Sequence, residues 1–239
     1  MSRLAAPSKV KVVSLVRPFS NFDFADDHFQ GSFPIRRLFS QARSRECQTA
    51  VLEEIPASGA VADENGEING LFPDFQMHAL RRVSFWRGKF KTEKEISKQG
   101  DGECIGFAIL KHDVSPSQQV DEWHVFESVI VQYPHQHNYL PCANDFEVRV
   151  GGSKFKLRGV LYCQQNGLNK ACAQVALRSI CATYLDEPKF TYRRINALAF
   201  RPGEQFTPGK GLSTRQILRG VGRVEDSVFR YLLSSTSGA

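Results

Sequence analysis

Two glutamines followed by a cysteine form the group of residues in this chain with the clearest chemical potential. Gln164 and Gln165 precede Cys172, which begins a long apolar segment. The first turn of a helix favours a thiolate, and a thiolate is the nucleophile of cysteine hydrolases. A glutamine amide a few residues upstream can donate a hydrogen bond to an oxyanion that develops on a substrate. The spacing therefore predicts the nucleophile and oxyanion half of a cysteine-hydrolase site.

The surrounding sequence predicts the elements that would hold these residues. Apolar residues recur at helical spacing over 172–185, so a buried helix is expected there. Before it, Phe146–Val150 and Phe155–Tyr162 alternate around a Gly-Gly pair and predict a β-hairpin. After it, Ser213–Gln216 fits a capping box and predicts a second helix, which Gly220 and Gly222 would weaken and end. A third short helix is expected over 227–233.

The first 150 residues predict mainly strands and polar loops. Predicted strands are Val10–Val16, Cys104–Leu110 and Glu122–Gln132, while His78–Trp86 fits either a helix or a strand. In the third strand, Trp123, Val125, Val129 and Val131 are expected on one face. A loose helical stripe over residues 36–55 predicts a helix, and the polar stretch Pro56–Gly70 predicts an exposed loop.

Composition and charge restrict the class of protein. The net charge of +6 divides into +9 over residues 151–239 and −3 over residues 1–150. A basic C-terminal part fits a solvated basic face, an acidic partner or nucleic acid. The apolar runs are too short to cross a bilayer or to form a signal peptide, so a cytoplasmic protein is expected. The six cysteines contain no C-x-x-C pair, so no metal, cofactor or disulfide framework is predicted and most are expected to be buried.

The order of these motifs resembles the front part of papain-like cysteine peptidases. The nearest branch is the bacterial double-glycine-leader-peptidase-like proteins, and the resemblance covers about residues 155–222. It rests on a strand, a glutamine and Cys-Ala at the start of an apolar helix. Gly211–Leu218 also resembles the segment that follows the nucleophile helix in that branch. The resemblance implies that Cys172 is the nucleophile and that Gln165, with Gln164 as the fallback, contributes to the oxyanion hole.

The same resemblance implies the fold class and the division of the chain. An α+β protein is expected, with a β-rich domain of unknown role over residues 1–150. Residues 151–239 would form the helical front of a papain-like domain, incomplete because it lacks the sheet that bears the histidine.

The sequence departs from the papain-like pattern in the position of its histidines. The family takes its base from a strand downstream of the nucleophile, whereas all six histidines here precede Cys172: His28, His78, His112, His124, His135 and His137. Three explanations stay open. The chain could end before the catalytic sheet, the domain could be a non-catalytic relative, or His135 or His137 could reach the thiol through a rearranged topology.

Two functions of different class follow from these alternatives. The first is a cysteine hydrolase, a peptidase or amide hydrolase that acts on a peptide or protein. The second is a non-catalytic papain-like module that binds or regulates through recognition of a protein or peptide. Nucleic-acid binding ranks last, because no motif supports it.

Overall fold

The computed structural model describes residues 10–15, 21–133, 144–169, 171–184, 191–204 and 210–223. Within them the strands are β1 (Val10–Ser14), β2 (Thr49–Glu54), β3 (Gln76–Trp86), β4 (Cys104–Ser115), β5 (Val120–Ile130), β6 (Asp145–Val150), β7 (Ser153–Arg158) and β8 (Val160–Tyr162). The helices are α1 (Asn21–Phe29), α2 (Phe33–Ser44), α3 (Gly59–Leu71), α4 (Glu93–Ile96), α5 (Cys172–Tyr184), α6 (Tyr192–Ala199) and α7 (residues 214–223).

Six of the strands form one antiparallel sheet in the order β1-β2-β3-β4-β5-β8, and β6 and β7 form a separate hairpin. Helices cover both faces of the large sheet. On one face, α1 and α2 share a core with side chains such as Phe85 and Leu110. On the other face, α3, α5 and α6 pack around Leu80 and Phe126, and the hairpin packs around Trp86. The fold is therefore a mixed α/β arrangement built on an antiparallel sheet.

The predicted hairpin is present, but its second arm is divided. Gly151 and Gly152 adopt φ values of 56° and 82°, the left-handed conformation that a tight hairpin turn requires. The strand that pairs with β6 ends at Arg158. After Gly159 the chain continues as β8, which pairs with β5 instead of β6. A Cβ atom at Gly159 would lie 2.7 Å from the carbonyl oxygen of Ile130, so the close approach of the two backbones depends on this glycine. The expected domain boundary at residue 150 falls at the turn between β6 and β7, which pair with each other.

The prediction that Trp123, Val125, Val129 and Val131 lie on one face of the strand is wrong because β5 contains a bulge. The pairing of β5 with β4 shifts register between Ile109 and Leu110, which face Glu127 and Val125. One additional residue on β5 reverses the alternation of side chains. Trp123 and Val125 consequently lie in the core with α1 and α2, whereas Val129 lies in the core beneath the hairpin.

Two segments of the N-terminal part differ from their predicted structure. The helix expected over 36–55 is α2 followed by a turn and by β2. Helix α2 ends at Ser44, and Glu46 in the following turn adopts a positive φ of 67°. The loop expected over 56–70 is largely α3, whose buried residues Val61, Glu64 and Ile68 lie on one side of the helix. Tertiary contacts stabilise α3, because Val61 packs with α5 and α6 and Ile68 packs with Phe75.

Other predictions agree with the structure. The helix at Cys172 is α5, and α7 begins directly after the predicted capping box. Of the two structures that His78–Trp86 fits, the strand is present as part of β3. The expected end of the second helix at Gly220 and Gly222 is wrong, because α7 continues through both glycines. Helix α6 was not anticipated, and the helix expected over 227–233 lies outside the described residues. Among the helices described, none combines the length and apolar character that crossing a membrane requires.

Candidate thiol site

The connection from β8 to α5 places the two neighbouring glutamines in different roles. The backbone N–H of Gln164 donates to the carbonyl of Val125 at 2.9 Å, and the Val125 N–H donates to the side-chain Oε1 of Gln164 at 3.0 Å. Gln164 therefore extends the pairing along β5 beyond the end of β8. Because this contact uses its side chain, Gln164 is a structural residue and Gln165 is the glutamine left to face the thiol.

Cys172 and Gln165 are in direct contact. Cys172 is exposed at the first position of α5, and its Sγ donates to Oε1 of Gln165 at 2.6 Å. The described cysteines Cys47, Cys104, Cys163 and Cys181 are all buried, so Cys172 differs from them in its access to solvent. Cys142 lies outside the described residues. The structure thus brings together the two residues that the sequence singled out.

Asn166 fixes the turn that carries Gln165. Its side-chain Oδ1 accepts hydrogen bonds from the backbone N–H groups of Leu168 at 3.0 Å and Asn169 at 2.9 Å. Its Nδ2 donates to Oε1 of Glu64 on α3 at 2.7 Å. Asn166 is only 2% exposed, so these bonds form in the protein interior, where an unpaired polar group is costly. The position of Gln165 therefore depends on α3.

A buried cluster of charges supports the contact between α3 and this turn. Lys111 of β4 has no exposed side-chain surface, and its Nζ lies 2.9 Å from Oε2 of Glu64 and 3.0 Å from Oδ2 of Asp113. The ring of Phe75 lies 5.2 Å from the same ammonium group. A buried ammonium requires such partners, because removal from water disfavours its charge. The cluster links the centre of the sheet to Glu64 and through it to Asn166.

Burial changes the protonation behaviour of two members of this cluster. Burial raises the pKa of Asp113 to about 6, and the neighbouring Lys111 acts in the opposite direction. Burial, together with Lys111, lowers the pKa of His124 to about 3, so this histidine is neutral at pH 7. The Nδ1 atom of His124 lies 3.7 Å from Asp113, and both ring nitrogens are buried without a hydrogen-bond partner.

The described histidines make their contacts away from the thiol. His28 stacks on Phe24, and His112 stacks on Trp123 and pairs with Asp121 at 2.7 Å. The rings of His78 and His112 meet edge to face. Neither these three nor His124 has Cys172 among its hydrogen-bond or ring partners. His135 and His137 lie outside the described residues.

Helix α5 is held by polar contacts along its length. Arg178 pairs with Glu127 of β5, and its guanidinium lies 5.5 Å from the ring of Phe126. Gln174 donates to Asn196 of α6 at 3.1 Å. These buried contacts fix the direction of α5 and hence the position of its N-terminal thiol.

The capping box before α7 forms as the sequence predicts. The backbone N–H of Ser213 donates to Oε1 of Gln216 at 2.8 Å, and the backbone N–H of Gln216 lies 3.4 Å from Oγ of Ser213.

Sequence reasoning missed Glu64, Lys111, Asp113 and Asn166 as supporting residues. One signal was available, since the apolar strand that begins at Cys104 continues into Lys111-His112-Asp113. Alternating charges directly after a buried strand indicate that some of them lie inside and are paired. The partner Glu64 could not be found in this way, because it lies in a segment that looked like an exposed loop.

Comparison with known proteins gives no relative for this chain: no family model, no curated protein and no solved structure matches it. Among the described residues, no group of three or more histidine, cysteine or carboxylate side chains is placed to hold a metal ion.

Proposed function

We propose that this chain carries a papain-like thiol-hydrolase site, with Cys172 as the nucleophile and Gln165 in the oxyanion hole. The contact of 2.6 Å between Sγ of Cys172 and Oε1 of Gln165 carries the proposal. It is supported by the exposure of Cys172 and by its position at the start of a 13-residue helix. The substrate class is a peptide or protein amide.

In the proposed reaction the thiolate of Cys172 attacks the carbonyl carbon and a carbon–sulfur bond forms. The carbonyl oxygen becomes an oxyanion, which requires hydrogen-bond donors. Gln165 supplies one donor when rotation of its amide about the last bond turns Nε2–H, in place of Oε1, towards the oxyanion. The backbone N–H of Cys172 is a second donor, because the first N–H groups of a helix have no partner within it. The oxyanion then returns to a carbonyl, the carbon–nitrogen bond breaks, and the amine leaves with the proton that the thiol lost. Water hydrolyses the thioester to the free acid and restores the thiol of Cys172.

Both proton transfers need a general base and acid, a role that histidine performs in most such enzymes. Because none of the four described histidines contacts Cys172, the proposal assigns this role to a group outside the described residues.

A non-catalytic module that recognises a protein or peptide is the second candidate. The observation that favours it is the same separation of the described histidines from Cys172. In that function the contact between Cys172 and Gln165 would be a remnant of the papain-like scaffold.

Alkylation by iodoacetamide tests the nucleophile. The rate at Cys172 in the folded protein at neutral pH is compared, by mass spectrometry, with the rate at the same residue in the denatured chain. The denatured Cys172 is the required reference, since burial slows the other described cysteines under either function. An activated thiol is expected to react about tenfold faster in the folded protein. Equal or slower labelling would exclude the hydrolase and favour the binding module.

Acylation by p-nitrophenyl acetate tests the oxyanion hole. We expect one equivalent of nitrophenolate per chain, absent in Cys172→Ser. Gln165→Ala is expected to slow acylation about 100-fold, because it removes an oxyanion donor. Gln164→Ala is the matched control, with a change of no more than about tenfold, since its side chain bonds to Val125. Equal losses in the two variants would contradict the role of Gln165.

A further inference from the structure

A groove with no part in the thiol chemistry lies between α2 and the edge of the sheet. Its volume is about 590 Å³, within the range of ligand-binding pockets. One wall is formed by the α2 residues Phe33, Arg37 and Gln41, which their spacing of four places on one side of the helix, and by Arg45 directly after the helix. The floor includes Val160 and Tyr162 of β8, whose side chains point to the same face of the sheet.

The lining of this groove combines aromatic surface with positive charge. Phe33 is 68% exposed and Tyr162 is 50% exposed, which is unusual for large apolar side chains on one concave surface. Among the described residues, the lining contains arginines and no aspartate or glutamate. The guanidinium of Arg37 lies 5.8 Å from the centre of the Phe33 ring, and among the described residues it has no carboxylate within ion-pair distance. The groove therefore presents an unneutralised positive charge beside exposed rings.

The groove also borders β8, which lies at the edge of the sheet among the described strands. β8 is the last strand of the sheet, and it pairs through Val160, Leu161 and Tyr162 with β5 on one side. No other strand in the described part of the chain pairs with its outer side. The outward backbone N–H and C=O groups of an edge strand are available to a further strand.

We propose that this groove binds an extended peptide segment of a partner protein, rich in Asp and Glu, as an added strand beside β8. Main-chain hydrogen bonds to the edge of β8 would supply affinity, as in other cases of strand addition. The acidic side chains would meet Arg37, and alternate apolar side chains would contact Phe33 and Tyr162. Single-stranded nucleic acid also uses arginine and aromatic rings, but it cannot use the backbone groups of a strand edge. The proposal is independent of the thiol chemistry, because binding is measured directly.

Selection from a displayed library of random peptides, with the full chain as bait, identifies the ligand. We expect enriched peptides with several Asp or Glu residues alternating with apolar ones. The strongest peptide is then synthesised with a fluorophore, and its affinity is measured by anisotropy. Methylation of alternate backbone nitrogens is expected to weaken binding at least tenfold. Enrichment without acidic residues, no enrichment, or indifference to backbone methylation would each overturn the proposal.

Two charge reversals on α2 locate the site. Arg37→Glu is expected to weaken binding of the peptide at least tenfold. Arg43→Glu, an equal change on an exposed residue outside the lining, is expected to weaken it less than threefold at the same ionic strength. Equal losses would indicate a non-specific charge effect and would refute the groove. Thermal unfolding of both variants verifies the fold. Displacement of the peptide by labelled oligothymidylate at similar concentration would instead identify a nucleic-acid site.

Discussion

The substitution Asp113→Asn examines the buried charge cluster that supports the thiol loop. The side chain of Asp113 is 1% exposed and close to Lys111. A pKa of about 6 in the folded protein, in place of 3.8, corresponds to about 3 kcal/mol against the ionised form. Because the folded pKa is raised, the contribution of Asp113 to stability is fully present below pH 3.8. It is lost as the pH rises through about 6.

The replacement removes this pH dependence and leaves Lys111 paired with Glu64. The unfolding free energy of Asp113→Asn relative to the natural protein is therefore expected to increase by about 2 kcal/mol between about pH 4.5 and pH 7. For a chain of this size the change corresponds to about 4 to 8 °C in melting temperature. The assay is urea unfolding followed by circular dichroism at both pH values, with linear extrapolation.

Asp121→Asn is the matched control. Asp121 is 68% exposed and pairs with His112, so its replacement is expected to change stability by less than about 1 kcal/mol at either pH. The reasoning would be refuted if the unfolding free energies of Asp113→Asn and the natural protein differed by the same amount at both pH values. This result would mean that Asp113 is not held in the interior beside Lys111.

Two further substitutions test the same region. The folded pKa of His124 is lowered, so its contribution to stability is lost as the pH falls below 6.5. The unfolding free energy of His124→Gln relative to the natural protein is therefore expected to increase by about 3 kcal/mol between about pH 7 and pH 4. A difference in unfolding free energy that stays constant with pH in urea unfolding would contradict this. Asn166→Ala leaves a buried Glu64 oxygen and two backbone N–H groups unpaired, so a loss of about 3 kcal/mol is expected in the same assay, with slower acylation of Cys172 when still folded. Unchanged stability would show that this turn does not depend on Asn166.

Local sequence patterns were sufficient where the structure depends on local contacts. The alternation around Gly151 and Gly152 predicted the hairpin, and the capping box at Ser213 predicted the start of α7. The helical spacing after Cys172 predicted α5. In each case the residues that make the decisive contacts are a few positions apart, so a short window contains the information.

Segments that depend on distant partners could not be read in this way. The segment of helix α3 was predicted to be a loop because it is rich in small and polar residues, yet its Glu64 is buried against Lys111, 47 residues later in the chain. The bulge in β5 places Trp123 and Val129 on opposite faces of the sheet. It arises from the way β5 pairs with β4, which a short stretch of sequence does not contain. Strand β8 depends on the close approach of Gly159 to Ile130.

The sequence by itself determined that Cys172 begins a helix and that a glutamine precedes it at a spacing suited to a thiol site. The resemblance to papain-like peptidases favoured Gln165 over Gln164, and only the tertiary structure showed their different contacts: Gln164 bonds to Val125 of β5, while Gln165 meets the thiol at 2.6 Å. The tertiary structure also decided that Glu64 of α3, paired with Lys111 of β4 in the interior, bonds to Asn166 and so fixes the turn that carries Gln165. The physical reason is that a buried charge is stable only beside its partner, and the partner lies on a distant element.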